Sequence, residues 1–245
     1  MRVLLAALIV LAAPAAAAVE CKDVGFKGQR YALCEINMDT DELRLFLNDP
    51  DRDAPFGSFE NVEAQLRKSG ETLQFAMNAG MYHPDRRPVG HYVEDGKQVS
   101  PVIASDGPGN FGLLPNGVFC IREGRADVIE TKRYQSEAPD CTYASQSGPM
   151  LVIDGALHPK FLKESDSYHV RNGVGTSADG KTVWFAISRG RVNFHTFGTF
   201  FREGLKAPQA LYFDGNISRL YAPDLNRNDG GFPMGPIVGV VGKAD

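Results

Sequence analysis

The hydrophobic pattern is most informative at Leu73–Gly90, LQFAMNAGMYHPDRRPVG. Leu73 to Met77 form an apolar run of buried-strand length. The run breaks into Asn78-Ala79-Gly80, then Tyr82-His83, then the charges Asp85-Arg86-Arg87 before Pro88 and Gly90. A strand that ends in Asn and Gly brings a donor, an acceptor and unhindered backbone to a sheet edge, where a ligand can meet them. A solvated turn would use the same residues.

Upstream, Cys21 to Leu47 reads as a strand pair turning near Gly25 and Gly28, with Leu43, Leu45 and Leu47 alternating against Arg44 and Phe46. Ser58 is an N-cap for a helix carrying Phe59, Val62 and Leu66 on one face and stopping at Gly70. Downstream, Asp95-Gly96, Asp154-Gly155 and Asp179-Gly180 each separate alternating runs and predict hairpins, so these aspartates have a structural explanation. Further strands are predicted at Val118–Ile121, Met150–Ile153, Thr182–Ser188, Gln209–Phe213 and Pro236–Val241. A second helix places Phe197, Phe200, Phe201 and Leu205 on one face, with Thr196 or Asn193 as its cap. Ten or more strands with two helices, some in strand–helix–strand order, predict an α+β single domain with a mixed β-sheet core and a few helices.

Residues 1–18 stand apart from this pattern. Arg2, an apolar run and Ala16-Ala17-Ala18 read as a secretory signal peptide, leaving 19–245 as one domain. The expected location is the periplasm or the exterior, with no membrane span after cleavage. A net charge of −4 argues against a nucleic-acid partner. Cys21, Cys34, Cys120 and Cys141 make an even count for an oxidising compartment, and the local pairing Cys21–Cys34 with Cys120–Cys141 encloses one turn-containing segment in each loop. No Cys-x-x-Cys occurs, and the five histidines have no metal-binding spacing.

Four strand ends couple a polar group to glycine: Asn78-Ala79-Gly80, Ser147-Gly148, Arg171-Asn172-Gly173 and Asp214-Gly215. Ends on one edge of a sheet converge, so these are the expected pocket builders. Asp214 follows a buried strand and is the candidate catalytic base or nucleophile, against the alternative of a loop cap. Arg171 is the candidate anion ligand, against a solvated or ion-paired charge. His195 near a helix start is a candidate acid/base or a structural hydrogen-bonder. Gly107–Gly112 fits GxGxxG, but Pro115-Asn116-Gly117 follows where a helix would begin. It reads as a Gly-rich turn that could line the pocket with backbone N–H groups.

Taken in order, NAGMY with PVG, SGPMLVIDG, RNGVG and ALYFDGNIS resemble motifs of the phosphodiester glycosidase family, the family of the lysosomal uncovering enzyme. The resemblance runs from about Leu73 to Val241. It implies substrate-binding roles for Asn78, Gly80, Tyr82, Ser147, Gly148, Asn172, Gly215 and Ser218, around catalytic Asp214 and Arg171 with His195 as an auxiliary. Asn172-Gly173 stands where the family has Thr-Ala, Asn216 where a glycine is common, and Arg189 where Asp-Gly-Arg begins. These departures point to a bacterial exported subgroup whose substrate need not resemble the lysosomal one.

The implied activity is hydrolysis of the glycosyl–phosphate bond of a carbohydrate phosphodiester, through an oxocarbenium-like state. Asp214 would act at the anomeric carbon while Arg171 holds the phosphate. No cofactor is required, with a divalent metal on Asp214 and phosphate as a variant. The alternatives are a non-catalytic envelope module binding phosphorylated glycan, and a metal-dependent phosphodiesterase attacking phosphorus.

Overall fold

The computed structural model describes residues 19–244, so the signal peptide expected at 1–18 lies outside the described residues. Among the described residues, the three larger antiparallel sheets share one apolar core, with a two-stranded sheet, 48–49 and 54–55, beside them. A seven-stranded sheet runs in the order 20–26, 29–37, 182–188, 172–176, 209–212, 150–153, 156–157. One five-stranded sheet orders 125–130, 117–122, 143–147, 92–94 and 97–100, and the other 227–228, 220–222, 71–78, 237–243 and 42–46. A continuous cluster including Cys34, Leu45, Phe75, Phe119, Phe185, Phe213 and Val238 draws from all three.

The local readings hold where side-chain chemistry sets them. Strand Glu71–Asn78 occupies the centre of its sheet, between Leu220–Ala222 and Ile237–Lys243. Helix Phe59–Arg67 buries Phe59, Val62 and Leu66, and Ser58 Oγ accepts from Asn61 N at 3.2 Å. All three Asp-Gly pairs lie between antiparallel strands. Asn193, rather than Thr196, caps the second helix, Phe194–Thr199, which continues as a wider turn over Phe200–Gly204. Both expected disulfides form, Cys21–Cys34 across paired strands and Cys120–Cys141.

Two expectations need correction. The fold is predominantly β rather than a balanced α+β, and a further short helix, Thr131–Glu137, follows the strand Arg125–Glu130. The sheets are also not mixed: each strand pair among the described residues is antiparallel. The strand–helix–strand crossing from Thr182–Ser188 to Gln209–Tyr212 passes over Asn172–Thr176, which lies between them and opposes both. The crossing strands are thus parallel in direction without being neighbours, and a sequence pattern shows the crossing but not the strand it skips.

Candidate active site

The four polar strand ends meet. The strand Gln209–Tyr212 ends in Phe213 and Asp214, and alternation sends successive side chains to opposite sides. Phe213 enters the shared core beside Phe119 and Phe185. Tyr212 and Asp214 line a cleft of about 480 Å³ with Met81, Tyr82, His83 and His169. Its other wall is Pro108, Gly109, Asn110 and Phe111, so the Gly-rich turn does border the pocket. Asn116 pins that wall, its Nδ2 donating to Phe111 O at 3.1 Å.

The turn carrying Asp214 is held by residues of all three sheets. Ser147 Oγ donates to Phe213 O at 2.7 Å. Asn172 Nδ2 donates to Asp214 O and, at 2.8 Å, to Ser218 Oγ. Ser218 Oγ donates to Val170 O or Asp214 O, each at 3.1 Å. Asn78 Nδ2 donates to Asn172 Oδ1, while its own Oδ1 accepts from Arg219 N at 3.0 Å. Asn78, Ser147 and Asn172 are fully buried, so their polar atoms shape the turn rather than face open space.

Gly80 is needed for close approach: a Cβ there would come within 2.5 Å of Gln146 O and 2.6 Å of Ser145 Oγ. Gly148 is likewise buried. Among the residues expected to bind substrate, Tyr82 and Gly215 line the cleft itself.

Asp214 is half-buried, with Oδ1 accepting from Asn216 N at 2.9 Å. Burial holds its carboxyl above the usual carboxylate range, against the opposing effect of the N–H groups of Asn216, Ile217 and Gly215. No ion pair among the described residues includes it. Tyr82 faces it closely enough that the Asp214 charge adds to burial in raising the Tyr82 phenol. His169 is pushed down, first by burial and then by the charges of Arg171 and Arg191, so the neutral imidazole is favoured. Among the described residues no group of three or more His, Cys, Asp or Glu side chains is placed to hold a metal ion.

Arg171 does not fit the role of an open phosphate clamp. It is 0% exposed and absent from the cleft lining. Its Nε donates to Val192 O at 2.9 Å, its Nη2 to Ser167 O at 2.8 Å, and the guanidinium carbon sits 3.6 Å from the Phe194 ring centroid. Arg86 instead lies over a cleft residue, its guanidinium carbon 5.5 Å from the Tyr82 ring centroid. His195 opens into a different hollow, with Lys163, Tyr168 and Thr199. The sequence pattern does not single out His169 or Arg86, although both sit in the polar loops that follow or precede pocket-building strand ends.

An antiparallel β-sheet protein with a lone, desolvated carboxylate on a cleft walled by aromatic, histidine and glycine-rich segments is the class that this geometry defines. The chain belongs to the phosphodiester glycosidase family, which it matches over residues 71–241. It is 31% identical to the uncharacterized protein YigE of Escherichia coli (strain K12) over 88% of this chain and 83% of that one. Its fold is similar to that of the catalytic domain of zebrafish N-acetylglucosamine-1-phosphodiester alpha-N-acetylglucosaminidase, auto-inhibited by its pro-peptide, with TM-score 0.59 and 13% identity, covering 91% of this chain and 81% of that chain. A protein of Burkholderia pseudomallei K96243, described as exported, is similar at TM-score 0.55 and 11% identity, covering 86% and 74% respectively.

Proposed function

We propose that this protein is an exported hydrolase that cleaves the glycosyl–phosphate bond of a sugar phosphodiester, with Asp214 as nucleophile or as base for water. The observation that carries this reading is the Asp214 carboxylate itself: on the cleft, held by backbone N–H groups, partly desolvated and free of any ion pair among the described residues. A carboxylate in that setting is more basic than one in water, which suits attack at an anomeric carbon or proton abstraction from water. Family membership supports a sugar phosphodiester as the substrate class.

In the proposed reaction the bond between the anomeric carbon and the phosphate oxygen breaks, and its electron pair leaves with the phosphate. Water supplies the new oxygen on the sugar. A phosphate ester leaves as a stabilised anion, so the site needs little general-acid help and more charge stabilisation around the departing group. Arg86, lying over the cleft residue Tyr82, and the Gly-rich Gly109–Phe111 wall are the candidates for that task. Asn78, Ser147, Asn172 and Ser218 act by fixing the turn, Gly148 by letting the Phe111 wall pack closely, and Tyr82 and Gly215 by contacting the sugar. No cofactor enters this mechanism. In a variant that chelation tests, Asp214 would help hold a divalent ion, which would supply charge to offset the departing phosphate. Two disulfides and a similar protein described as exported support an oxidising, extracytoplasmic location.

Hydrolysis of a glycosyl phosphodiester in ¹⁸O-water tests the reading. Attack at carbon places the label in the released sugar. Label in the phosphate, lost on adding chelator, would instead assign a metal-dependent phosphodiesterase. Tight glycan binding without turnover would leave a binding module.

A further inference from the structure

Two buried polar atoms beside the cleft, Arg171 Nη1 and Tyr212 Oη, have no hydrogen-bond partner among the described residues. An unmatched buried donor or acceptor is costly, so a neighbouring pair of them calls for an explanation. The guanidinium is fixed at its Nε and Nη2 by Val192 O and Ser167 O, and packs flat against Phe194. Phe194 in turn meets the Tyr212 ring edge-on at 4.8 Å, and the guanidinium carbon is 5.4 Å from the Tyr212 centroid. On its other side the phenol oxygen lies against the turn that carries Asp214. A Cβ on Gly215 would come 1.8 Å from Tyr212 Oη, so only glycine fits there. Strand alternation sends Tyr212 and Asp214 to the same side. The hydroxyl therefore stands between a donor-only cation and the turn bearing an acceptor-only carboxylate.

We infer that the Tyr212 hydroxyl bridges Arg171 to Asp214, accepting from Nη1 and donating to the carboxylate, so that Arg171 positions Asp214 and touches no substrate. A phenol has one hydrogen and acceptor lone pairs, which matches one neighbour of each kind. Both charges are felt at the phenol: burial raises its pKa, Arg171 opposes the rise and Asp214 adds to it. The other titratable groups on the cleft are Tyr82, His83 and His169. The charges of Arg86 and Arg219 act on Tyr82, and those of Arg171 and Arg191 on His169. The bridge is a property of the free protein, and it rests on the proposed function only for the chemical task of Asp214.

The test is a ¹³C-carboxylate NMR titration of Asp214 in the full chain without substrate, comparing wild type, Tyr212→Phe and Arg171→Met. Loss of the phenolic donor is expected to raise the Asp214 midpoint by about one pH unit. Arg171→Met is expected to raise it in the same direction, with little further change in the double variant because the two act in series. An unmoved midpoint in Tyr212→Phe, with an unchanged melting temperature, overturns the bridge. Tyr212→Phe keeps the ring and its packing, so it decides the question alone if Arg171→Met fails to fold. In turnover of a glycosyl phosphodiester, the acid limb of the Tyr212→Phe profile should move by the same interval. A moved midpoint in a protein that hydrolyses no phosphodiester would keep the bridge and remove the proposed function. Turnover with an unmoved midpoint would do the reverse.

Discussion

Asn78 and Asn172 lie 94 positions apart in the chain and share a 3.3 Å hydrogen bond behind the turn that carries Asp214. Through it the central strand of one sheet is tied to the seven-stranded sheet, and the second amide nitrogen function of the pair is spent on the Asp214 and Ser218 turn. The catalytic carboxylate proposed here is thus aimed by side chains that never see solvent.

Truncating that support should be felt at a distance. Asn172→Ala leaves buried carbonyl oxygens without a donor, at a cost of about 1–3 kcal/mol. The expected outcome is a melting temperature lowered by several degrees, together with a fall in kcat of at least tenfold as the turn loosens. Asn172→Asp should be worse than Ala, because it replaces the donor facing Asp214 O with an acceptor. Thermal melts and steady-state kinetics on one phosphodiester check both.

Asp214→Asn should abolish turnover, by a factor of a thousand or more, while substrate binding survives. In the wild type the carboxyl must be ionised to act, and burial raises its pKa. Activity should therefore rise with pH along an acid limb lying above the ordinary carboxylate range. A limb at the usual aspartate value would argue that Asp214 is solvated in the working enzyme.

What the chain discloses about this site, and what it hides, follows from how each feature is encoded. Asp214 and its neighbours were legible because a buried strand ending in polar residue and glycine is a local signal, read over a few positions. The paired cysteines and the Asp-Gly hairpins are local in the same way. The state of Arg171 is not local. Whether a guanidinium opens on a cleft or lies under Phe194 depends on where the helix that begins at Phe194 docks. Asn78 and Asn172 look like ligand-binding amides by type, and only the meeting of two sheets shows that they bind each other. Parallel against antiparallel pairing was hidden for the same reason, since the strand between two crossing strands comes before both in sequence.

Gly80 separates conformational freedom from packing. Its φ is not among the positive values, so flexibility is not what the position requires. A methyl group there would collide with Gln146 O at 2.5 Å, a backbone atom of the neighbouring sheet. Gly80→Ala is expected to cost about 1–3 kcal/mol by overpacking, read as a lower urea midpoint with an unchanged slope. Stability equal to wild type would mean that the two sheets are not in contact there.

His195→Ala should leave kcat and kcat/KM within about twofold of wild type, as expected for a surface change away from special features. The side chain lines a hollow with Lys163 and Tyr168, apart from the residues that surround Asp214. His169→Ala, by contrast, removes a side chain from the cleft wall and should raise KM. A strong loss of kcat in His195→Ala would bring that hollow into the reaction.

Glu94 gives the fold a pH dependence separate from catalysis. Tyr92 Oη donates to Glu94 Oε2 at 2.9 Å, and burial pushes the Glu94 pKa up to about 7, with Asp95 adding to the rise and the Tyr92 and Leu47 donors opposing it. The native state therefore holds a proton that the unfolded chain gives up near the ordinary glutamate value. Stability from this group is full below about pH 4.5, declines as pH rises through 7, and stays reduced above it. Glu94→Gln keeps an oxygen for both donors and has no charge to bury. The variant should melt with the wild type at pH 4 and a few degrees above it at pH 8, a gap of about 1–2 kcal/mol once solvent screening is discounted. Melting curves of the two proteins across that range check the sign, and a gap that widens towards acid pH would reverse the assignment.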